Sequence, residues 1–497
     1  MEVLLVNYVF SRSFVVSSGV SKAMFICFLF PIFLTAEYIA PPILSNSTVF
    51  PAWNVPSENC IRRYKIYVDV SIYSLTGNPE IRATSQKITF FNIDKFGRYP
   101  HVEADSKREK FGAIPQLGNI NTHLEKAQKD IVHYLPRDAL GLAIISWETW
   151  NPLWIRNILN NYVYRVKSIQ LVKQKNPQLG DTEAEAVAKE EFEQAAREFM
   201  VRTLQLGRRL RPNNFWGFFH FPDCYNHNYH NNKNYTGSCP EIDKQRNNDL
   251  IWLWNESTAL YPDLYLTTDL KENPKAALFS RNRVNEAIRI SKVSNSSNPL
   301  PVFVYVRPVF IDKITEYLSE IDLVNTIGET YALGASGIVI WGSFKISHSM
   351  IACKNLKAFQ TQTLSRYIIN VTLAAKMCHQ ALCQDQGLCT RKNWNSNDYL
   401  HLNPRNFFIE FAYCNKFTIY GEPSFEDLKQ FSDKFDCTCF TNVTCKKNNI
   451  QNVKNIRVCV NEEICISAFV SPEHNLIPTG RTRKTTKTTI TKPYTVF

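Results

Sequence analysis

Residues 141–150 place a single carboxylate at the end of an apolar run. The stretch reads GLAIISWETW, and Glu148 follows a segment typical of a buried strand. Acid catalysis on a glycosidic bond usually employs two acidic groups. Residues two apart on a strand face the same way, so a partner of Glu148 is expected at the position that holds Ser146. Without further context, a glutamate at a strand end is more often a surface or loop-capping residue than a catalyst.

Motifs for other kinds of chemistry are missing from the sequence. It contains no Gly-rich phosphate loop, no pair of histidines at a helical metal-binding spacing and no nucleophile elbow. The Cys-Thr-Cys at 437–439 lies in a cysteine-rich segment and needs no zinc to explain it. We therefore expect neither a metal ion nor an organic cofactor.

The chain around Glu148 alternates between short strands and longer helices. The segments 119–135 and 182–210 repeat apolar residues at the three- and four-residue spacing of amphipathic helices. Repeated βα units with continuous apolar strands predict an α/β fold of the (β/α)8 barrel type. The strand-like runs lie at 47–53, 86–93, 141–148, 215–221, 262–268, 301–310 and 336–344.

The ends of these predicted strands carry acidic and aromatic residues. Catalytic groups of (β/α)8 barrels lie at the C-terminal ends of the strands. Glu148, Tyr265 and Trp341 hold such positions, and so does the segment PDCYNH at 222–227. Taken alone, tyrosines and tryptophans at these positions are more often core residues than ligand-binding ones.

Six stretches of the chain carry a family resemblance. They read AWNVPSENC (52–60), SWETWNPLWIRN (146–157), LRPNNFWGFFHFPDCYNH (210–227), RNNDLIWLWNESTALYPDLYL (246–266), ALGASGIVIWG (332–342) and CTRKNWNSNDYLHLNP (389–404). Over residues 1–470 the sequence resembles the hyaluronidases, a family of glycoside hydrolases, and most closely those of the sperm surface. The resemblance implies a distorted (β/α)8-type TIM barrel followed by a small disulfide-rich EGF-like domain.

The resemblance also implies a reaction. The family cleaves β-1,4 links after N-acetylglucosamine in hyaluronan, and often in chondroitin. In its substrate-assisted retaining mechanism, a protein acid protonates the leaving oxygen while the acetamide oxygen of the substrate attacks the anomeric carbon. A second carboxylate, two residues before the acid, orients the acetamide and balances the positive charge that grows on it.

Carried over to this sequence, Glu148 is the proton donor, and Ser146 stands where the family has aspartate. A hydroxyl supplies no negative charge, and the loss of one preorganised electrostatic stabiliser costs about 10²–10³ in rate. Two tyrosines of the family pattern are also replaced, by Phe219 and by Asn92. The other substrate-binding positions match the family pattern: Asn54, Asp223, Tyr225, Tyr265 and Trp341.

Two of these positions have a plainer interpretation. Asp223 and Tyr225 adjoin Cys224 and could serve only to hold their loop. Trp147, between the two key positions of the strand end, is interpreted as a core residue because the resemblance gives it no role.

The substitutions leave two functions open. In the first, the chain is an endo-acting hyaluronidase weakened by the loss of the aspartate. In the second, it is a catalytically inactive hyaluronan-binding or cell-adhesion protein of sperm, because the three losses fall where the acetamide reacts. A third hypothesis is that the gene is decaying and its product never folds. The retained cysteines and the long open reading frame count against this hypothesis.

The missing aspartate also has a consequence for pH. A neighbouring carboxylate would raise the pKa of Glu148 by repulsion between like charges. Without it the acid should lose its proton at lower pH. We therefore expect any residual activity to shift toward acidic solution.

Several features predict export of the protein. Residues 1–36 combine Lys22 with the apolar run AMFICFLFPIFLTA, which is typical of a secretory signal, with a signal anchor as the alternative. After this signal we expect no membrane span and no lipid anchor, because the C-terminal segment is not apolar. The Asn-X-Ser/Thr sequons are Asn46, Asn234, Asn255, Asn295, Asn370 and Asn442.

The cysteines agree with an exported protein. The chain contains 14 cysteines, and Cys27 lies in the predicted signal. The pairing implied by the resemblance leaves Cys414 over, as a free thiol or a site of intermolecular pairing. The implied disulfides are Cys60–Cys353, Cys224–Cys239, Cys378–Cys389, Cys383–Cys437, Cys439–Cys445 and Cys459–Cys465.

The predicted organisation has four parts. They are a signal at 1–36, a barrel at 37–355, a cysteine-rich EGF-like domain at 356–470 and a basic, disordered tail at 471–497. In an exported glycoprotein, the net charge of +12 favours an acidic polysaccharide such as hyaluronan or chondroitin over nucleic acid as the partner. We expect a secreted or luminal protein; an acrosomal location follows only from the resemblance, and nothing in the sequence indicates an oligomeric state.

Overall fold

In the part of the chain that the structure describes, eight short parallel strands form the barrel, and each of the seven predicted strand segments contributes one. The eighth, Leu75–Thr76, has only two residues, too few for an alternating pattern to reveal it. The strands are β1 (Phe50–Asn54), β2 (Leu75–Thr76), β3 (Ile88–Phe91), β4 (Gly141–Ile145), β5 (Asn214–Phe218), β6 (Asp263–Leu264), β7 (Phe303–Val306) and β8 (Gly337–Trp341).

The structure is a computed structural model that describes residues 37–44, 47–80, 83–230, 232–411 and 416–470. The residues from Glu37 onward form one compact unit. The predicted signal at 1–36, the predicted tail at 471–497, the sequon at Asn46 and the unassigned Cys414 lie outside the described residues.

The strands pair in the cyclic order of a (β/α)8 barrel. Parallel pairing joins β2, β1, β8, β7 and β6 in one sheet and β3, β4 and β5 in another. A parallel bridge between Phe219 and Tyr261 connects β5 to the β6 side. Next to β2, Gly77 lies so close to Ile88 of β3 that a Cβ atom would stand 2.2 Å from its carbonyl oxygen. This closed order confirms the predicted TIM-barrel-like architecture.

Side chains that alternate along the strands fill the barrel. Phe50 and Ala52 on β1 belong to one buried cluster with Leu142 and Ile144 on β4 and Tyr305 on β7. Residues two apart on a strand face the same way, so the members of each pair point inward together. The next inward position toward the carboxyl end of each strand opens at the mouth of the barrel.

Helices surround the strands. The segments predicted at 119–135 and 182–210 form the helices Ile120–Tyr134 and Asp181–Leu210, which confirms both. Asn119 caps the first of them by accepting a hydrogen bond from a backbone N–H of the first turn. The remaining α-helices are Glu58–Tyr64, Tyr162–Lys175, Glu241–Asp249, Ile251–Glu256, Pro274–Ser291, Glu320–Leu323, Glu329–Ala332, Met350–Phe359, Ser365–Cys383 and Phe425–Lys434.

Shorter helical turns complete the layer around the barrel. Two π-helical turns continue neighbouring α-helices, at Val324–Gly328 and Gln360–Leu364. Within the described ranges, no helix combines the length and the apolar character needed to cross a membrane. The 3₁₀ turns are Pro115–Leu117, Trp154–Arg156, Leu159–Asn161, Thr268–Leu270, Phe344–Ile346 and Ile450–Asn452.

Helices connect the cysteine-rich segment to the barrel. The boundary expected between residues 355 and 356 falls inside the helix Met350–Phe359, and the helix Ser365–Cys383 is buried along most of its length. Tyr38–Ile39 also pairs in parallel with Phe435–Phe440. An EGF-like domain remains a prediction. The other strands, all in antiparallel pairs, are His101–Val102, Glu109–Lys110, Gly387–Arg391, Phe407–Phe411, Phe417–Gly421, Asn455–Cys459 and Cys465–Phe469.

Six disulfides cross-link the described residues, and they are the six pairs that the family resemblance implies. Cys60–Cys353 spans 293 residues of sequence and joins the first helix of the barrel to a helix that follows β8. A cross-link over so long a loop restricts the unfolded chain strongly. The other pairs are Cys224–Cys239, Cys378–Cys389, Cys383–Cys437, Cys439–Cys445 and Cys459–Cys465.

A buried charge cluster also joins the barrel helices to the cysteine-rich segment. Glu329 accepts hydrogen bonds from two N–H groups of Arg281, at 2.7 and 3.1 Å, and from Arg391 at 2.9 Å. The Tyr399 hydroxyl donates to the same carboxylate at 2.7 Å. The three charged side chains are at most 2% exposed, so the two guanidinium groups share the one carboxylate of Glu329 as their counter-charge rather than being solvated by water.

Glu329→Gln should lower the free energy of unfolding by about 3–5 kcal/mol, because it leaves buried guanidinium groups without a counter-charge. Glu320→Gln, at an exposed position nearby, is the matched control and should change it by less than about 1 kcal/mol. Urea unfolding followed by circular dichroism at pH 7 measures both. Equal unfolding midpoints for the two variants would contradict the role assigned to Glu329.

Candidate active site

The inward alternation of the strands brings the predicted site residues to the mouth of the barrel. On β4, Ser146 is the next inward position after Ile144, and its backbone N–H still bonds to β3 at 2.9 Å. Ser146 therefore lies on the same inward face of β4 as Ile144, one step closer to the mouth of the barrel. The equivalent positions on the other strands are held by Asn54, Asn92, Phe219, Tyr265 and Trp341.

Glu148 lies beside Ser146 at the carboxyl end of β4. The hydroxyl of Ser146 donates a hydrogen bond to Oε1 of Glu148. Ser146 is only 7% exposed, whereas 54% of the Glu148 side chain is open to solvent. A carboxyl group that is held through one oxygen and accessible at the mouth can meet a ligand there.

Trp147 shows the other face of the same strand. Its ring stacks on Tyr99 with centroids 4.4 Å apart and meets Phe218 edge-on at 5.4 Å. These contacts belong to the main core between the strands and the helices. Trp147 is therefore a core residue, as interpreted from the sequence.

A histidine that the sequence patterns do not single out contacts the other carboxyl oxygen. His220 Nε2 lies 3.5 Å from Glu148 Oε2, and His220 Nδ1 lies 2.7 Å from Asp263 Oδ1. His220 has a left-handed backbone conformation, with φ of 68°. This conformation interrupts the strand alternation, so His220 lies beside the preceding Phe219, with ring centroids 3.9 Å apart.

The charges of these groups set their protonation. Burial alone would lower the pKa of His220, but the carboxylates of Asp263 and Glu148 outweigh it and raise the pKa to about 10. Burial would raise the pKa of Glu148, but the hydrogen bond and charge of His220, together with the Ser146 hydroxyl, lower it. Burial also opposes ionisation of Asp263, yet His220 and Arg283 hold its pKa well below the ordinary value. At neutral pH the site contains two carboxylates and one imidazolium.

Aromatic rings and one guanidinium line the mouth next to these charges. Tyr265 and Trp341 stack with centroids 6.1 Å apart at an interplanar angle of 26°. The guanidinium carbon of Arg307 lies 5.4 Å from the Tyr265 ring and 5.2 Å from the Trp341 ring. Flat ring faces beside a cation suit a ligand that combines sugar rings with negative charge.

Several buried polar atoms around the mouth have no hydrogen-bond partner among the described residues. Such groups are costly in a folded protein unless a ligand or water pairs with them. Burial, and next the charge of Asp263, keeps the pKa of Tyr265 well above its ordinary value, so this residue is a neutral phenol that can donate. The unpaired atoms are Asn54 Oδ1, Asn92 Oδ1, Tyr265 OH, Arg307 Nε and Trp341 Nε1.

Phe219 closes the floor of the mouth. Its ring packs 4.9 Å from that of Tyr305 and 5.3 Å from that of Phe90, both in the barrel interior. The Tyr305 hydroxyl is engaged by Asn54 Nδ2, which donates to it at 3.4 Å. Phe219 therefore offers a ligand an apolar surface and no hydrogen bond.

Asp223 and Tyr225 are placed differently from the other predicted residues. Asp223 lies 3.3 Å from Arg283, which also contacts Asp263 at 3.4 Å, so Asp223 is connected to the site through one arginine. Tyr225 is 56% exposed, and its ring lies 5.4 Å from the guanidinium carbon of Arg156. These contacts fit the plainer interpretation, in which the two residues hold their loop.

Three residues at the mouth were missed from the sequence: His220, Asp263 and Arg307. Two of them follow from the alternation rule, because Arg307 is two residues after the inward Tyr305 and Asp263 is two residues before Tyr265. His220 gave no such signal, because its left-handed conformation breaks the alternation.

No metal centre is indicated for the part of the chain that the structure describes. There, no group of three or more His, Cys, Asp or Glu side chains is arranged to hold an ion. Both cysteines of the Cys-Thr-Cys at 437–439 form disulfides.

Comparison with known sequences assigns a family. A family model described as Hyaluronidase matches residues 38–451. Hyaluronidase PH-20 of Homo sapiens is 50% identical over 474 residues, which cover 95% of this chain and 92% of that protein. Hyaluronidase-5 of Mus musculus is 50% identical over 479 residues, which cover 96% of this chain and 91% of that protein.

Comparison with solved structures agrees with this assignment. Bee venom hyaluronidase in complex with a hyaluronic acid tetramer aligns with a TM-score of 0.58 and 26% identity, covering 64% of this chain and 98% of that one. The monoclinic crystal structure of the bee venom protein gives a TM-score of 0.57 at 25% identity, with coverage of 64% and 99%. By its sequence, and with a barrel of the same type, the chain belongs to the hyaluronidase family.

Proposed function

We propose that the chain is an endo-acting hyaluronidase of low turnover, which cleaves β-1,4 links after N-acetylglucosamine by a substrate-assisted retaining mechanism. The observation that carries the proposal is the position of Glu148 beside Ser146 at the mouth of the barrel. Stacked aromatic rings and unpaired polar atoms surround this carboxyl group, as a site for a hydroxyl-rich polymer requires.

Hyaluronan is the substrate that the mouth fits best. It alternates N-acetylglucosamine with a sugar that bears a carboxylate, and Arg307 offers a counter-charge beside the Tyr265–Trp341 stack. Relatives with 50% identity are named hyaluronidases, and the bee venom protein was solved with a hyaluronic acid tetramer. Chondroitin, which has the same alternation of acetamido and acidic sugars, is a second substrate.

In this mechanism Glu148 gives its proton to the leaving oxygen. The acetamide oxygen of the substrate attacks the anomeric carbon and forms a cyclic cation, which the family stabilises with a carboxylate at the position of Ser146. The Ser146 hydroxyl can hydrogen-bond but carries no charge, and removing one such stabiliser costs about 10²–10³ in rate. Because the nucleophile belongs to the substrate, the substitution lowers turnover without removing a bond-forming group.

Binding of hyaluronan without cleavage is the second candidate function. The lowered pKa of Glu148 favours this function. Burial would raise that pKa, but His220 and the Ser146 hydroxyl lower it. A carboxyl group that is ionised at neutral pH has no proton to donate at that pH. Under those conditions the chain would serve as a hyaluronan-binding or cell-adhesion protein.

A secretory route is the location that we infer. The six disulfides are typical of proteins that fold in an oxidising compartment. An acrosomal location rests on the resemblance to sperm-surface members of the family.

The sequons differ in how well they could carry a glycan. Asn370 is half-buried and accepts a hydrogen bond from the backbone of Leu402 at 2.9 Å, so it is a poor site for a glycan. The exposed sequon asparagines are Asn234, Asn255, Asn295 and Asn442.

Ser146→Asp should raise the rate of hyaluronan cleavage by about 10²–10³, because it restores a negative charge where the cyclic cation forms. The new carboxylate should also raise the pKa of Glu148 by repulsion between like charges. A general acid must be protonated, so the pH–rate profile of the unmodified protein should peak at lower pH than that of the variant. Release of reducing ends from pH 3 to 8 measures both effects.

Ser146→Asn is the matched control, because asparagine has the size of aspartate without its charge. Glu148→Gln should abolish cleavage in either background, because an amide cannot donate the proton. Coincident pH profiles, or an equal gain with Ser146→Asn, would refute the charge argument. If the protein binds hyaluronan but stays silent at every pH, also as Ser146→Asp, the binding function is the correct one.

Tyr265→Phe should weaken binding of a hyaluronan tetramer about 5- to 12-fold, because it removes one hydroxyl that has no partner within the described residues. Tyr261→Phe removes the same atom from the barrel floor, where it donates to Phe215 O at 2.6 Å, and should leave binding unchanged. Titration calorimetry in a Glu148→Gln background measures both dissociation constants. Equal losses for the two variants would remove Tyr265 from the binding site.

A further inference from the structure

The contacts between Asp263, His220 and Glu148 add a component that the reaction implied by the family does not use. We propose that His220, held by Asp263, is a positioning residue that keeps Glu148 ionised at neutral pH and confines proton donation to acidic solution. The inference rests on the proposed hyaluronidase function and deepens it, because it assigns a pH dependence to the same site.

The geometry by itself calls for a charged histidine. Both ring nitrogens of His220 face carboxylate oxygens, Nδ1 at 2.7 Å from Asp263 and Nε2 at 3.5 Å from Glu148. The first contact is a hydrogen bond and the second an ion-pair contact; a neutral imidazole has one N–H and can turn it toward only one of the two carboxylates, whereas an imidazolium presents an N–H to both. The pair of contacts is therefore complete only when His220 carries a proton on each nitrogen.

Asp263 is fixed in place and remains ionised. Arg283 donates to its backbone oxygen at 3.1 Å and lies 3.4 Å from its carboxylate, and the same guanidinium binds Cys224 O at 2.6 Å. Burial opposes the charge of Asp263, but the two neighbouring cations keep its pKa well below the ordinary value. His220 thus retains its counter-ion in solutions acidic enough to protonate Glu148.

Two further titratable groups, one beside His220 and one near Asp263, leave this balance in place. Tyr265 meets the imidazole edge-on at 6.1 Å and is a neutral phenol. His227, on the loop after β5, has a pKa lowered by burial and then by the charge of Arg283, so it is neutral at pH 7. Asp263 lies on the Nδ1 side of the ring, away from Glu148, and offsets only part of the imidazolium charge.

The consequence for the acid follows from the sign of the charge. Glu148 must gain its proton next to a permanent cation, which favours the carboxylate. Above the pKa of an acid, the protonated fraction falls about tenfold per pH unit. The side chains of Glu148 and His220 are 54% and 36% exposed, so water weakens this effect but does not reverse it.

His220→Asn tests the assignment, because it removes the cation and keeps a side chain that can donate to Asp263. The pH at which hyaluronan cleavage falls to half its maximum should rise by about one unit. Relative to its own maximum, the variant should then cleave about tenfold faster at pH 7. Asp263→Asn should not raise this pH, because a His220 with its ordinary pKa of about 6.5 is still an imidazolium where Glu148 titrates, and the Asp263 charge that raises the pKa of Glu148 is gone.

His230→Asn is the matched control. It removes another histidine–carboxylate pair, His230 Nδ1 to Asp269 Oδ2 at 3.3 Å, from an exposed part of the chain. Its half-maximum pH should equal that of the unmodified protein. If cleavage is measurable and His220→Asn does not raise the half-maximum pH, the proposal is overturned.

A spectroscopic measurement separates this inference from the proposed function. In protein labelled at histidine Cε1, the NMR signal absent from His220→Asn belongs to His220. It should titrate near pH 10 in the unmodified protein and at least about two units lower in Asp263→Asn. Titration of His220 near its ordinary value of about 6.5 overturns the inference, whether or not hyaluronan is cleaved. A cationic His220 in a protein that cleaves nothing refutes the hydrolase function and upholds the charge arrangement.

Discussion

The twofold alternation of side chains along parallel strands is the constraint on which the rest of this structure depends. Inward positions fill the barrel with apolar side chains, and the same face continues beyond each strand into the mouth. On β4 one series therefore leads from Ile144 in the floor to Ser146 and Glu148 at the site. A shift of one residue would exchange this series with Trp147, whose ring packs between the barrel and its helices.

Two features of the mouth act on the charge of Glu148. The absence of a negative charge at Ser146 and the presence of a positive charge at His220 both favour the ionised form of Glu148. The sequence predicts this direction from the missing carboxylate alone, and the imidazolium of His220 acts in the same direction. Asp263 restores a carboxylate to the region, on the far side of an imidazole from the acid.

The residues of the site follow the strands directly, and cross-links elsewhere join the elements of the barrel. Glu148 comes three residues after the last residue of β4, and Trp341 is itself the last residue of β8. The disulfide Cys60–Cys353 and the buried cluster around Glu329 tie the barrel helices to the rest of the chain. Such supports hold side chains close to a productive geometry without a long loop to order.

The sequence by itself determined the barrel and the position of Glu148 beyond the end of one of its strands. Strand periodicity is a local property, so seven of the eight strands and the series through Ser146 and Glu148 could be read from short windows. Only the tertiary structure decided the partners of Glu148. His220 and Asp263 are 43 residues apart and meet because β5 and β6 are neighbours. His220 faces the mouth because one left-handed residue breaks the alternation, which no period of two can anticipate.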